Sequence, residues 1–195
     1  MNSFFRFATP LLFAGLLAAQ QTQPVRGKVE DVPGTNRFVL DCTNIPLQSS
    51  TLNLNTLVGA QWVLDVVNVG SATNPVLDVR AATAAQKLFD MGNLRIGRSD
   101  RWQVSAPAGS AAGVWLTGTP LTGYAPFGAL GTWLLGPTFV LVNSGTTNQL
   151  GVFEFNFAPP ALTNLVGQSF TAQAITMTNN QLTITNADCK ALQVN

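Results

Sequence analysis

The chain of 195 residues contains no histidine. Without imidazole there is no Ser-His or Cys-His nucleophile pair. The H-E-x-x-H metalloproteases and the commonest zinc and copper ligand go with it. Lysine is a thin substitute base, since only Lys28, Lys87 and Lys190 occur. No Gly-Lys-Ser/Thr is present, so there is no P-loop. In "GSAAG" (109–113) the serine stands one place early for a nucleophile elbow, and no base is there to activate it.

Charge is the second scarcity. Asp, Glu, Lys and Arg make up 10% of the chain, and from Gln103 to Ala187 the only charged side chain is Glu154. Surface in that half is built from Thr, Asn, Gln, Ser and Gly. It lacks the charge repulsion that discourages association. Self-association, or contact with a surface polysaccharide, is the partner class this favours. Nucleic acid is disfavoured, because its binding rests on surplus Lys and Arg.

Long apolar runs are missing as well, apart from the first residues. "MNSFFR" is short and positive, and "FATPLLFAGLLAA" is apolar and ends in small side chains. That order is the pattern of a secretory signal peptide over residues 1–20, cut after Ala19 or Gln20. At about 13 residues the run is short of the ~20 needed to span a bilayer. No Cys near the cut offers a lipid attachment point, and no later segment is long and apolar enough to span. The expected location is therefore exported: secreted, at the cell surface or in the periplasm. Losing Arg6 with the leader takes one from the ten basic residues and leaves nine against nine acidic.

Two cysteines are present, Cys42 and Cys189. In an oxidising compartment an even pair forms a disulfide. Closing so long a loop is worth on the order of 5 kcal/mol in the chain-entropy model. A reactive or metal-binding thiol has less behind it, with no C-x-x-C and no histidine; no metal and no cofactor is expected.

What the chain does have is strand signal. "NRFVLDCTN" (36–44), "AQWVLDVVNV" (60–69), "PVLDVRA" (75–81), "RWQVSA" (101–106), "GVWLTG" (113–118), "PTFVLVN" (137–143), "VFEFNF" (152–157), "SFTAQAITMT" (169–178) and "QLTITN" (181–186) are rich in Val, Ile, Thr and aromatics. Gly, Pro, Asn or Ser bound each run, at the short regular spacing of an all-β sandwich or barrel. "AATAAQKLFDMG" (81–92) alone predicts a helix, with Gly92 as its C-cap.

"TLVGAQWVLDVVNV" from Thr56 and "NLVGQSFTAQAITM" from Asn164 share Leu-Val-Gly, an aromatic three residues on and a β-prone run. In both the order is strand, Pro-containing loop, Leu-Val-Gly, strand, turn, strand. The motif reads as architecture, a glycine bend into a strand anchored by Leu and Val. The fold expected is all-β: two β-sandwich-like units from an internal duplication, 24–106 and 113–195, packed together and joined by "PAGSAAG" (107–113). "LTNLVGQSFTAQA" with the closing strand after it, about thirty residues, resembles the terminal β-module of uncharacterised exported proteins from environmental bacteria. The resemblance implies an exported β-module and supplies no site residues.

Few residues remain as site candidates. Asp65 and Asp78 lie on two strands of one predicted hairpin, the spacing to inspect for a glycosidase carboxylate pair; the simpler reading is two solvent-facing aspartates. "DVPGTN" (31–36) is too sparse for a calcium loop. In "FEFNF", Phe153, Phe155 and Phe157 share one face, for the core. Trp62, Trp102, Trp115 and Trp133, with Tyr124, are the candidate sugar-stacking platform, against a default of burial. Arg95, Arg98 and Arg101 form the one basic cluster, a candidate contact for anionic glycans, with Asp90 and Asp100 beside them. The function expected is a non-enzymatic exported β-module with a structural or adhesive role at the cell surface or in the matrix. The alternative is a carbohydrate-binding module.

Overall fold

The computed structural model describes residues 21–118, 122–161 and 163–194; the expected leader, 1–20, lies outside them. The fold is all-β. Five strands, β1 (Gln23–Val32), β2 (Arg37–Leu40), β3 (Pro46–Gln48), β4 (Gln61–Asn68) and β5 (Leu77–Ala84), close a barrel in the order β1-β2-β3-β5-β4. β1 serves two neighbours: Gln23–Lys28 pairs with β4, and Val29–Val32 pairs with β2. Alternation puts Val25, Val29, Leu64, Val66, Leu77 and Val79 inside, all with no exposed surface.

The rest of the chain stacks two sheets. β6 (Phe89–Asp90), β8 (Asp100–Ser105) and β13 (Val152–Phe157) form a three-stranded sheet in the order β13-β8-β6. Five strands form the other, in the order β12-β9-β14-β15-β7: β7 (Leu94–Arg95), β9 (Ala111–Gly118), β12 (Val140–Thr146), β14 (Ser169–Thr178) and β15 (Gln181–Gln193). Between them lies a core of Phe89, Met91, Trp102, Val104, Val114 and Ala174, with Phe153, Phe155 and Phe157 packed against it as the alternation required. β10 (Thr122–Pro126) and β11 (Thr132–Leu135) make a separate hairpin.

Three expectations are corrected. The first unit is a closed barrel, not a sandwich. Sheet membership changes between Ala84 and Phe89, ahead of the expected link at 107–113, because β8 pairs with β13, placing Trp102 opposite Phe155. Finally, 81–92 is not a helix: Ala81–Ala84 continue β5 against Trp62–Asp65, and Phe89–Asp90 is a strand. Phe89 and Met91 are both buried in the same core, which an extended chain allows at a spacing of two and a helix does not. Gly92 is no helix cap. A Cβ there would stand 2.4 Å from the Arg101 carbonyl, so only glycine lets the two backbones pass.

The repeated Leu-Val-Gly builds the same local structure twice. In each copy a 3-10 turn, Leu54–Leu57 or Thr163–Leu165, precedes a glycine at positive φ, +83° at Gly59 and +82° at Gly167. Each glycine N–H docks on a neighbouring strand, at the Val29 and Leu192 carbonyls, and β4 or β14 follows. The hairpins so begun then diverge, one closing a barrel and the other sitting inside an open sheet.

Barrel and sandwich are joined covalently and by packing. Cys42, just after β2, is disulfide-bonded to Cys189 on β15, with Cα atoms 5.4 Å apart. Leu134 of β11 and Ala187 of β15 belong to the barrel's own core cluster, and the Thr132 hydroxyl donates to the Pro24 carbonyl at 3.0 Å.

Candidate functional site

β9 has two faces. Val114 and Leu116 point into the sandwich core, while Trp115 takes the outer face. Its indole lies across Gly113, where a Cβ would meet the ring at 2.6 Å. Beside it stands Trp133 of β11, and one buried side chain ties β11 to the five-stranded sheet. Gln173 of β14 accepts from the Leu134 N–H at 2.8 Å and donates to the Thr132 and Thr185 carbonyls at 3.0 and 2.8 Å. Its carboxamide thus does for β11 what a neighbouring peptide group does in a ladder.

The rings then run in a chain. Trp115 and Trp133 meet edge-to-face with centroids 5.7 Å apart, and Trp133 meets Phe139 the same way at 5.4 Å, the geometry the ring quadrupoles prefer. With Phe127, Leu182 and Ile184 they line a trough of about 400 Å³ bearing no charged group. Phe127, Phe139 and Leu182 are 54%, 46% and 43% exposed. A clustered apolar surface of this kind marks a contact site, unlike single exposed side chains.

Of the four candidate tryptophans, the structure brings together Trp115 and Trp133 only. Trp102 is fully buried between Phe89, Phe155 and Phe157, so no glycan can stack on it. Trp62 packs against the barrel core and donates to the Leu57 carbonyl at 2.8 Å. Among the arginines, Arg101 is ion-paired with Glu154 at 3.3 Å, the one charged side chain between Gln103 and Ala187. Arg95 lies on β7 and Arg98 in the turn after it, where its N–H donates to the Arg95 carbonyl. Asp65 and Asp78 are not direct cross-strand partners: Asp78 faces Val67 and Asp65 faces Ala81 on the ladder, and Asp78 is engaged by Arg80 at 2.6 Å. Asp41 lies close to both cysteine sulfurs, but disulfide sulfur is not the thiolate a metal requires.

Another carboxylate pair went unnoticed in the sequence. The barrel brings Glu30 of β1 beside Asp41, just after β2, with Lys28 also near. Burial, then the Asp41 charge and a hydrogen bond shared with Asp41, hold the Glu30 carboxyl above its ordinary range, partly offset by Lys28. Burial pushes the Lys87 ammonium down, but the hydrogen bonds and charges of Asp188 and Asp90 together outweigh it, so that it ends raised.

No family model, no curated protein and no solved structure matches the chain. Its functional reading therefore rests on the site. Among the described residues no helix is long and apolar enough to cross a membrane.

Proposed function

We propose that this chain is a non-enzymatic exported β-module that acts by association, in a structural or adhesive role at the cell surface or in the extracellular matrix. The observation that carries it is the uncharged trough of Trp115, Trp133, Phe139 and Leu182 on the outer face of the five-stranded sheet. Burying such a surface gains about 25 cal/mol per Å², and no charge has to be stripped of water to do so. The disulfide supports export, since such bonds persist in oxidising compartments. The absence of histidine and the engagement of Asp78 by Arg80 support a non-enzymatic role.

The carbohydrate-binding alternative draws on Trp115 and Trp133. Sugar recognition needs flat ring faces together with hydrogen-bonding groups. Here the rings stand edge-to-face, and apart from the two indole N–H groups no lining side chain is polar, which favours an apolar contact.

Fractionation of the producing cells tests the reading. The native chain should be retained with the envelope or matrix, and a folded Phe139→Asp, Leu182→Asp variant should be shed into the medium. Equal retention of that variant, or native protein confined to the cytoplasm, defeats it. Binding on a glycan array that is lost on replacing Trp115 would establish the alternative instead.

A further inference from the structure

On the opposite face of β9 a second cavity opens at one end of the sandwich. Its volume is about 320 Å³, within the range of small-molecule sites. Leu116, Val142, Phe157, Phe170 and Leu192 line it, from both sheets, and none of its lining residues is charged. Val140 and Leu141, 63% and 56% exposed, stand at its edge. Protein interiors pack to crystal density, and an apolar void of this size takes up hydrocarbon more readily than water.

One cation stands beside two of these lining residues on the strand ladder. Lys190 is the cross-strand partner of Phe170 and lies two residues before Leu192, so its side chain is on the face that carries both lining residues. It is half-buried and has no ion pair among the described residues. Asp188, two residues back on that face, is already committed to Lys87, the Met91 N–H and the Cys189 N–H. An apolar cavity with an unpaired cation on the same strand face is complementary to a molecule with an alkyl tail and one anionic head.

We propose that the sandwich binds a single-chain carboxylate amphiphile, its tail between the sheets beside Leu116 and Phe170 and its carboxylate on the Lys190 ammonium. The site is separate from the outer trough.

Titration of the disulfide-intact protein with dodecanoate and with dodecanol, read by calorimetry below micelle formation, tests this. Dodecanoate should bind saturably at one site per chain. Lys190→Ala should weaken dodecanoate about fivefold, the size of a rim ion pair, and leave dodecanol unchanged. Leu116→Trp should abolish both by filling the cavity. Trp133→Ser should alter neither, which separates this site from the trough. Absence of saturable dodecanoate binding, or a Lys190→Ala variant that weakens both ligands alike or neither, overturns the proposal.

Discussion

Glu30 shows how far a residue can be read alone. In sequence it is one acidic residue on a strand; folding sets it against Asp41. Its carboxyl is held above the ordinary glutamate range, so the folded state binds its proton more tightly than the unfolded chain does. Its contribution to stability is therefore fully present below the ordinary value and is lost as pH rises through the raised folded value. Glu30→Gln should raise the melting temperature at neutral pH, and the gain should vanish in acid where Glu30 is protonated in both states. Thermal melts across that range check the sign. A gain that persisted in acid would assign the effect to something other than ionisation.

At the scale of the element, strands with regular alternation were legible and those held by distant side chains were not. "FVLD" and "FEFNF" announce themselves by period. The segment 85–92 does not, because its partner is Asn186, 97 to 98 residues away. Asn186 accepts from the Leu88 and Phe89 N–H groups and donates to the Phe89 carbonyl. No local pattern encodes such a contact, so the alanines prevailed and a helix was expected. Gln173 hid the placement of β11, and with it the trough, for the same reason. Asn186→Ala should orphan the two buried Phe89 backbone groups and the half-buried Leu88 N–H and cost about 3 kcal/mol, measured by urea unfolding, with amide protection lost at 88 and 89. The Leu-Val-Gly bends are the opposite case, local and legible. Gly59 and Gly167 both have open space where a Cβ would go, so alanine meets only the left-handed backbone penalty, about 1–2 kcal/mol each. The double variant should show the sum of the two, because the sites share no partner.

The whole molecule is where the duplication misled. Two like hairpins implied two like units, but a strand's sheet is set by what pairs with its edges, which local sequence does not specify. The disulfide was legible because two cysteines allow one pairing. Unreduced mass spectrometry should find the chain two hydrogens lighter than its reduced form. A Cys42→Ser, Cys189→Ser variant should lose up to about 5 kcal/mol, the entropy of a loop with a separation of 147 residues.

That bond also imposes an order in time. The chain is made from its N-terminus, so β1 to β5 exist well before β15 does. Until then the barrel core lacks Leu134 and Ala187, and Cys42 has no partner. A chain that stops before Cys189 is left with a barrel flank short of Ala187 and with an unpaired Cys42 thiol. The arrival of β15 is thereby written into the redox state of Cys42.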